Sequence, residues 1–203
     1  IAVAVGTLAQ YMSKPSKDHW SGVKRVIRYI NGTLDYGLAF TAHQEPKLVG
    51  YADADWGGDV DTRRSTSGYV FQIGGSTISW SSRKQSTVAK SSTEAEYVAL
   101  SSAAQEIVWL RQLMKDLGKS VDSSTTIYED NQGAMELAKN PKYHNRTKHI
   151  DICYHFVRER VVANEINVVY CRTEDMVADI MTKALSKFSF QNLRNRLGVN
   201  KIL

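Results

Sequence analysis

The residues of this chain best able to do chemistry are acids placed where acids are costly. Leu100, Ala103, Ile107, Leu110, Met114 and Leu117 recur at alternating steps of three and four, the spacing of one apolar helix face. Stepping back four residues from Leu100 lands on Glu96. A carboxylate at the head of a buried stripe needs a cation, a hydrogen-bond donor or a raised pKa, because an unpaired charge is expensive to take out of water. Glu94 lies ~200° away round the helix and faces elsewhere. Ser91 with Glu94 and Thr93 with Glu96 both fit a capping box. The stripe favours the first pair, which leaves Glu96 without a capping role.

Four further acids raise the same question. Asp53 and Asp55 are two residues apart on an alternating stretch, so both point the same way as Val49 and Tyr51. Asp55, next to Gly57-Gly58, reads as a turn residue, but parity alone does not choose between the two. Asp130 closes a strand and precedes a helix. That is an N-cap position, and it is also the carboxyl end of a strand, where α/β sheets place their sites. Asp179 lies at the edge of an apolar stripe, four residues before Lys183, with which it can pair. One at a time, these acids have structural explanations. Together they put one carboxylate on the first strand, one on the long helix, one at the end of the fourth strand and one on the last long helix. Four carboxylates converging from such elements repel one another unless divalent cations sit among them. Hard carboxylate oxygens suit Mg²⁺, and two such ions ~4 Å apart can activate a water and stabilise the leaving oxygen in phosphodiester cleavage.

The elements that must position them follow from periodicity. Strands are predicted at 48–56, 68–73, 77–81, 125–129 and 166–170, with Gly74-Gly75 as a hairpin turn. Helices are predicted at 91–117, 132–139, 147–162 and 175–185, giving the order βββαβααβα, with a short amphipathic tail over 188–197. Residues 1–46 look different. An apolar helix over 1–12 is followed by a break at Lys14-Pro15-Ser16. Ser16 then caps a helix whose Trp20, Val23, Ile27 and Ile30 share a face, and a short strand falls within 34–40. This is a thin basis for an independent core. Because the chain also opens on Ile1, the segment reads as the tail of an upstream domain.

The composition excludes several classes. The 203 residues are 42% hydrophobic and 23% charged, which rules out collagen-like, disordered and fibrous chains. The formal charge of +5 permits a polyanionic partner without demanding one. Two cysteines, Cys153 and Cys171, cannot build a disulfide scaffold or a four-cysteine zinc site. No apolar run approaches the ~18 residues of a membrane span, and the opening Ile1-Ala2-Val3-Ala4-Val5 has no basic n-region of the kind a signal peptide carries.

Several blocks, in one order, resemble a known family: Tyr51-Ala52-Asp53-Ala54-Asp55-Trp56, Arg64-Ser65-Thr66-Ser67-Gly68-Tyr69, Ile78-Ser79-Trp80-Ser81-Ser82, Ser91-Ser92-Thr93-Glu94-Ala95-Glu96-Tyr97, Tyr128-Glu129-Asp130-Asn131-Gln132, Arg146-Thr147-Lys148-His149-Ile150 and Ala178-Asp179-Ile180-Met181-Thr182-Lys183. They are similar to the ribonuclease H domain of copia-type LTR retrotransposon Pol polyproteins. Residues 12–29 resemble the end of the reverse transcriptase and its connection in the same polyprotein. The resemblance implies domains at 1–46 (reverse transcriptase remnant) and 47–203 (RNase H). It implies an RNase H-like α/β fold, a five-stranded mixed sheet with its first three strands antiparallel and helices on its flanks. It also implies hydrolysis of the RNA strand of an RNA–DNA hybrid with two Mg²⁺ or Mn²⁺ ions, in a cytoplasmic virus-like particle and next to the upstream reverse transcriptase. The family's acidic tetrad carries onto Asp53, Glu96, Asp130 and Asp179, which favours Asp53 over Asp55 and agrees with the stripe argument for Glu96. Cellular RNases H carry a His in the loop before the last helix. Here Val169 to Glu174 has none, and Glu174 is a weak substitute.

By the same resemblance, Ser92, Thr93, Asn131 and Gln132 are placed for ribose or base-edge contacts. Arg83 and Lys84 with Lys90, and Arg146 and Lys148 with Arg158, are candidates for phosphate. A zinc site from His144, His149, Cys153 and His155 lacks a second cysteine and strict spacing. A serine hydrolase lacks the G-x-S-x-G elbow. The competing reading is a catalytically silent RNase H-fold module that binds nucleic acid without turnover.

Overall fold

The structure is a computed structural model and describes residues 1–40, 47–119, 123–140 and 148–202, with side chains in the last stretch from residue 152 onward. In chain order its elements are α1 (Ala2–Ala9), α2 (Lys17–Asn31), β1 (Tyr36–Leu38), β2 (Leu48–Asp55), β3 (Thr66–Ile73), β4 (Ser76–Lys84), α3 (Ser92–Asp116), β5 (Thr125–Glu129), α4 (Gln132–Lys139), α5 (Lys148–Val162), β6 (Ile166–Tyr170), two 3-10 turns (Thr173–Asp175 and Val177–Met181), α6 (Lys187–Arg196) and β7 (Val199–Lys201).

Five strands form one mixed sheet in the order β4-β3-β2-β5-β6. The first three pair antiparallel, and β5 and β6 run parallel to β2. Gly74 and Gly75, with φ of +56° and +76°, make the tight reversal between β3 and β4, a backbone that side-chain-bearing residues adopt only with strain. Helix α3 covers one face. Its Tyr97, Leu100, Ala103 and Ile107 pack with Phe71, Ile127 and Val168 of the sheet and with Tyr154 and Val157 of α5. The predicted stripe is buried as far as Leu110, loosens at Met114 and is solvent-exposed at Leu117. The other face, through Val70, is covered by Val177, Ile180, Met181, Leu193 and Leu197.

Three features differ from the sequence expectation. The helix predicted over 175–185 is instead two 3-10 turns, tied by the amides of Asp179 and Thr182 bonding to the carbonyls of Met176 and Asp179. All of Val177–Met181 is buried, so this segment has no solvent face for helical periodicity to report. Its close approach to the sheet depends on Gly68: a Cβ there would sit 2.7 Å from Thr182 Cγ2 and 2.8 Å from Met181 Cβ. Strand β7 was not anticipated. It forms because β1 offers it an antiparallel edge, a pairing three residues long. Finally, Ser16 does cap α2, accepting from the His19 amide, but Trp20, Ile27 and Ile30 of its apolar stripe are largely exposed.

Residues 1–40 pack against the rest of the chain. Ala2 joins the second core cluster, Tyr11 donates to Asp61 at 2.9 Å, and Tyr29 meets Phe190 edge to face.

Candidate active site

The acids meet at the end of the sheet where β2 and β5 part. The two strands pair only over Val49–Tyr51 and Thr126–Tyr128, so beyond Tyr51 the edge of β2 facing β5 is open. Into that gap comes Glu96, from the second turn of α3. Its Oε2 accepts the Ala54 amide at 2.7 Å and so replaces a missing ladder bond. Ser91 sets the start of α3 by accepting the Glu94 amide at 3.2 Å, and Glu94 turns back to accept the Lys90 amide at 3.1 Å. Glu94 is thus spent on the helix end and Glu96 is free for the sheet, as the stripe implied.

Asp53 is fully buried opposite Gly68. Its Oδ2 accepts from the Thr182 hydroxyl, and its Oδ1 lies 2.9 Å from Lys183 Nζ. Asp55 instead accepts the Thr66 amide at the end of the β2–β3 ladder, the turn role available to it from sequence. Asp130 does not cap α4. Asn131 does, accepting the Ala134 amide at 3.0 Å, and this overturns the N-cap reading of Asp130. Asp130 is left to accept from the Thr173 hydroxyl at 2.7 Å. Asp179 pairs with Lys183 at 2.8 Å.

Ligand atoms of Asp53, Glu96 and Asp130 all lie within 4.8 Å of one another. Burial, reinforced by the charges of Glu129, Asp53 and Asp130, pushes the Glu96 carboxyl up to about 10. Burial and the neighbouring Asp53 raise Asp179 to about 6, with Lys183 opposing. Burial disfavours the Lys183 ammonium, but Asp53 and Asp179 outweigh it and hold the group charged well above its usual range. Among the described residues, no Lys or Arg forms an ion pair with Glu96 or Asp130. An oxygen-only donor set, buried at Asp53 and Glu96, half-buried at Asp130 and ion-paired only at Asp53, fits Mg²⁺ or Mn²⁺.

Sequence reasoning missed Glu129. It is fully buried, its Oε1 accepts the Asn131 amide at 3.1 Å, its Oε2 has no partner, and burial with the Asp130 charge raises its pKa well above the carboxylate range. Strand parity carried the signal: Thr125, Ile127 and Glu129 alternate onto the buried face.

The expected substrate residues are distributed unevenly. Gly133 lets the start of α4 abut the start of α3, since a Cβ there would lie 2.9 Å from Thr93 Oγ1. Thr93 and Asn131 meet across this seam at 3.5 Å, with Ser92 and Gln132 exposed beside them. Arg83 is exposed on β4, whereas Lys84 is occupied by Asp59 and Gln10. Arg158 stacks over Tyr154 and donates to the Leu137 carbonyl, a packing role. Arg146 and the Lys148 side chain lie outside the described residues, as do His144 and the His149 side chain. Glu174 is exposed and paired with Arg172.

A sheet of this order, with acids gathered where its central strands diverge, defines a ribonuclease H-like fold. Solved structures agree. The N-terminal RNase H domain of rv2228c from Mycobacterium tuberculosis superposes with a TM-score of 0.50 at 13% identity, over 74% of this chain and 98% of that one. LC11-RNase H1, solved in complex with an RNA/DNA hybrid, also gives 0.50, at 16% identity over 67% and 94%. The chain belongs to the copia-type retrotransposon Pol polyproteins. It is 44% identical over its whole length to the Retrovirus-related Pol polyprotein from transposon RE2 of Arabidopsis thaliana, and 40% identical over 98% of its length to that from transposon TNT 1-94 of Nicotiana tabacum. It spans 14% and 15% of those relatives. A 110-residue stretch, 54% of the chain, is 59% identical to the Secreted RxLR effector protein 161 of Plasmopara viticola and covers 78% of that protein. No family model matches. No described helix is long and apolar enough to cross a membrane.

Proposed function

We propose that this chain hydrolyses the RNA strand of RNA–DNA hybrids at an acidic site built from Asp53, Glu96, Asp130 and Asp179, with divalent metal held among these carboxylates. The observation that carries the reading is the gathering of Asp53, Glu96 and Asp130 ligand atoms within 4.8 Å, from a strand, a helix and a second strand end. Divalent metal held by these carboxylates would supply a Lewis acid there, favouring ionisation of the attacking water and stabilising the leaving oxygen. In the reaction a water oxygen bonds to phosphorus, the bond from phosphorus to the 3′-oxygen breaks, and the products are a 5′-phosphate and a 3′-hydroxyl. The chain's own residues set the stage for this. Thr182 and Thr173 orient Asp53 and Asp130, the Ala54 amide orients Glu96, and Gly68 keeps the segment bearing Asp179 against the sheet.

Thr93 and Asn131, with Ser92 and Gln132, line the seam beside the acids and suit contacts to ribose hydroxyls and base edges. Exposed Arg83 suits phosphate. The setting we attach is reverse transcription within a virus-like particle, with residues 1–46 as the end of the polymerase or its connection. The test is cleavage of a labelled hybrid in Mg²⁺ by wild type, Asp53→Asn and Glu96→Gln. Loss of cleavage in both variants is expected. Undiminished cleavage in either rejects the assignment, and tight hybrid binding by a wild type that never cleaves selects the silent module.

A further inference from the structure

The four acids are not one group. Asp53, Glu96 and Asp130 bring ligand atoms within 4.8 Å of one another, and Asp179 lies outside that set. Asp179 is linked to Asp53 through Lys183, whose Nζ sits 2.8 Å from Asp179 Oδ1 and 2.9 Å from Asp53 Oδ1. A two-ion scheme assigns its second ion to this carboxylate pair. The lysine is not a loose surface charge that has wandered in. Its amide bonds the Asp179 carbonyl at 2.9 Å, and the adjacent Thr182 hydroxyl holds the other oxygen of Asp53. Asp53 is fully buried, and the side chains of Asp179 and Lys183 are only 11% and 31% exposed. An ammonium and a divalent ion cannot share one pair of oxygens without strong like-charge repulsion in so dry a place.

Building on the nuclease reading, we propose that Lys183 is the second positive centre of this site, so that the protein takes up a single divalent ion, at Asp53, Glu96 and Asp130. An ammonium has three N–H donors. Two are spent on Asp53 and Asp179, and the third is available to an oxygen of the scissile phosphate. It supplies fixed charge where a second ion would otherwise supply it, and no proton needs to leave it. Met at this position would keep the length of the side chain and remove the charge, leaving Asp53 and Asp179 as an uncompensated pair that can admit a further ion.

The experiment counts Mn²⁺ bound per chain by electron paramagnetic resonance and by calorimetry. It uses the chain alone and the chain with a thiophosphate-linked hybrid that resists cleavage, because a substrate phosphate can complete a coordination shell. Wild type and Lys183→Arg are expected to bind one ion in both states, and Lys183→Met two. Lys183→Gln serves as a second neutral variant should Met impair folding. Two ions in wild type, with or without hybrid, overturn the proposal. One ion in the neutral variants as well also overturns it, because Lys183 then excludes nothing. Hybrid cleavage is measured on the same samples. A wild type that binds one ion but does not cleave refutes the nuclease reading while leaving the metal count standing. A wild type that binds no ion refutes both.

Discussion

Glu96 ties the stability of the metal-free protein to pH in a direction opposite to that of an ordinary paired carboxylate. Its folded pKa is about 10, raised by burial and by the charges of Glu129, Asp53 and Asp130. In the unfolded chain it returns to the ordinary carboxylate value of ~4.3. Between those values the folded state holds a proton that the unfolded state has lost, so stability must fall as pH rises. At ~1.4 kcal/mol per unit, going from about pH 5 to about pH 8 costs at most about 4 kcal/mol from this residue. For a chain of this size that corresponds to a lowering of Tm by up to roughly 8–16 °C. Glu129, raised by the same burial, acts in the same direction. Glu96→Gln keeps an oxygen for the Ala54 amide but has nothing to titrate, so its Tm should fall much less over this range. Mg²⁺ binds the ionised cluster, so the Tm rise it causes in wild type should grow with pH, whereas in Glu96→Gln it should be small. Thermal melts by circular dichroism, in chelator and in Mg²⁺, read all three quantities. A wild-type Tm that is flat or rising across this interval, with Glu96→Gln running parallel to it, would refute the reasoning.

Other substitutions probe how the site is held. Gly68→Ala places a Cβ against Thr182 and Met181, so the segment bearing Asp179 must move off β3. A loss of about 1–3 kcal/mol in urea unfolding is expected, together with weaker Mn²⁺ binding. Asn131→Ala removes the cap of α4 and should cost about 1 kcal/mol, whereas Asp130→Asn should cost no capping energy; equal losses would return the capping role to Asp130. Thr182→Val takes a hydroxyl from buried Asp53 and should cost about 1–3 kcal/mol, with Thr182→Ser recovering most of it. Denaturant titration distinguishes these outcomes.

Much of the architecture is legible in the order of residues, because burial on one face imprints a local period. Strand β5 falls at the expected 125–129 and α4 at the expected 132–139, each bounded by its own turn or cap chemistry. Glu96 is distinguishable from Glu94 for the same reason, since the stripe of α3 and the cap at Ser91 are both read within a few turns of one helix. Resemblance, and not period, separated Asp53 from Asp55, because alternation gives two residues on one face the same standing. Only the tertiary structure decided how the acids divide. Lys183 was visible as a partner four residues from Asp179, but its second partner, Asp53, lies 130 positions away. That contact exists because Gly68 admits the 3-10 turn Val177–Met181 beside β3. The second of the two 3-10 turns leaves no periodic trace, being buried on every side, and β7 leaves none because its partner strand lies near the other end of the chain. Local period records which face of an element avoids water. Which charges end up sharing a proton, an ammonium or a metal ion depends on register and close approach between distant segments, and these are set only when the sheet and its covering layers pack.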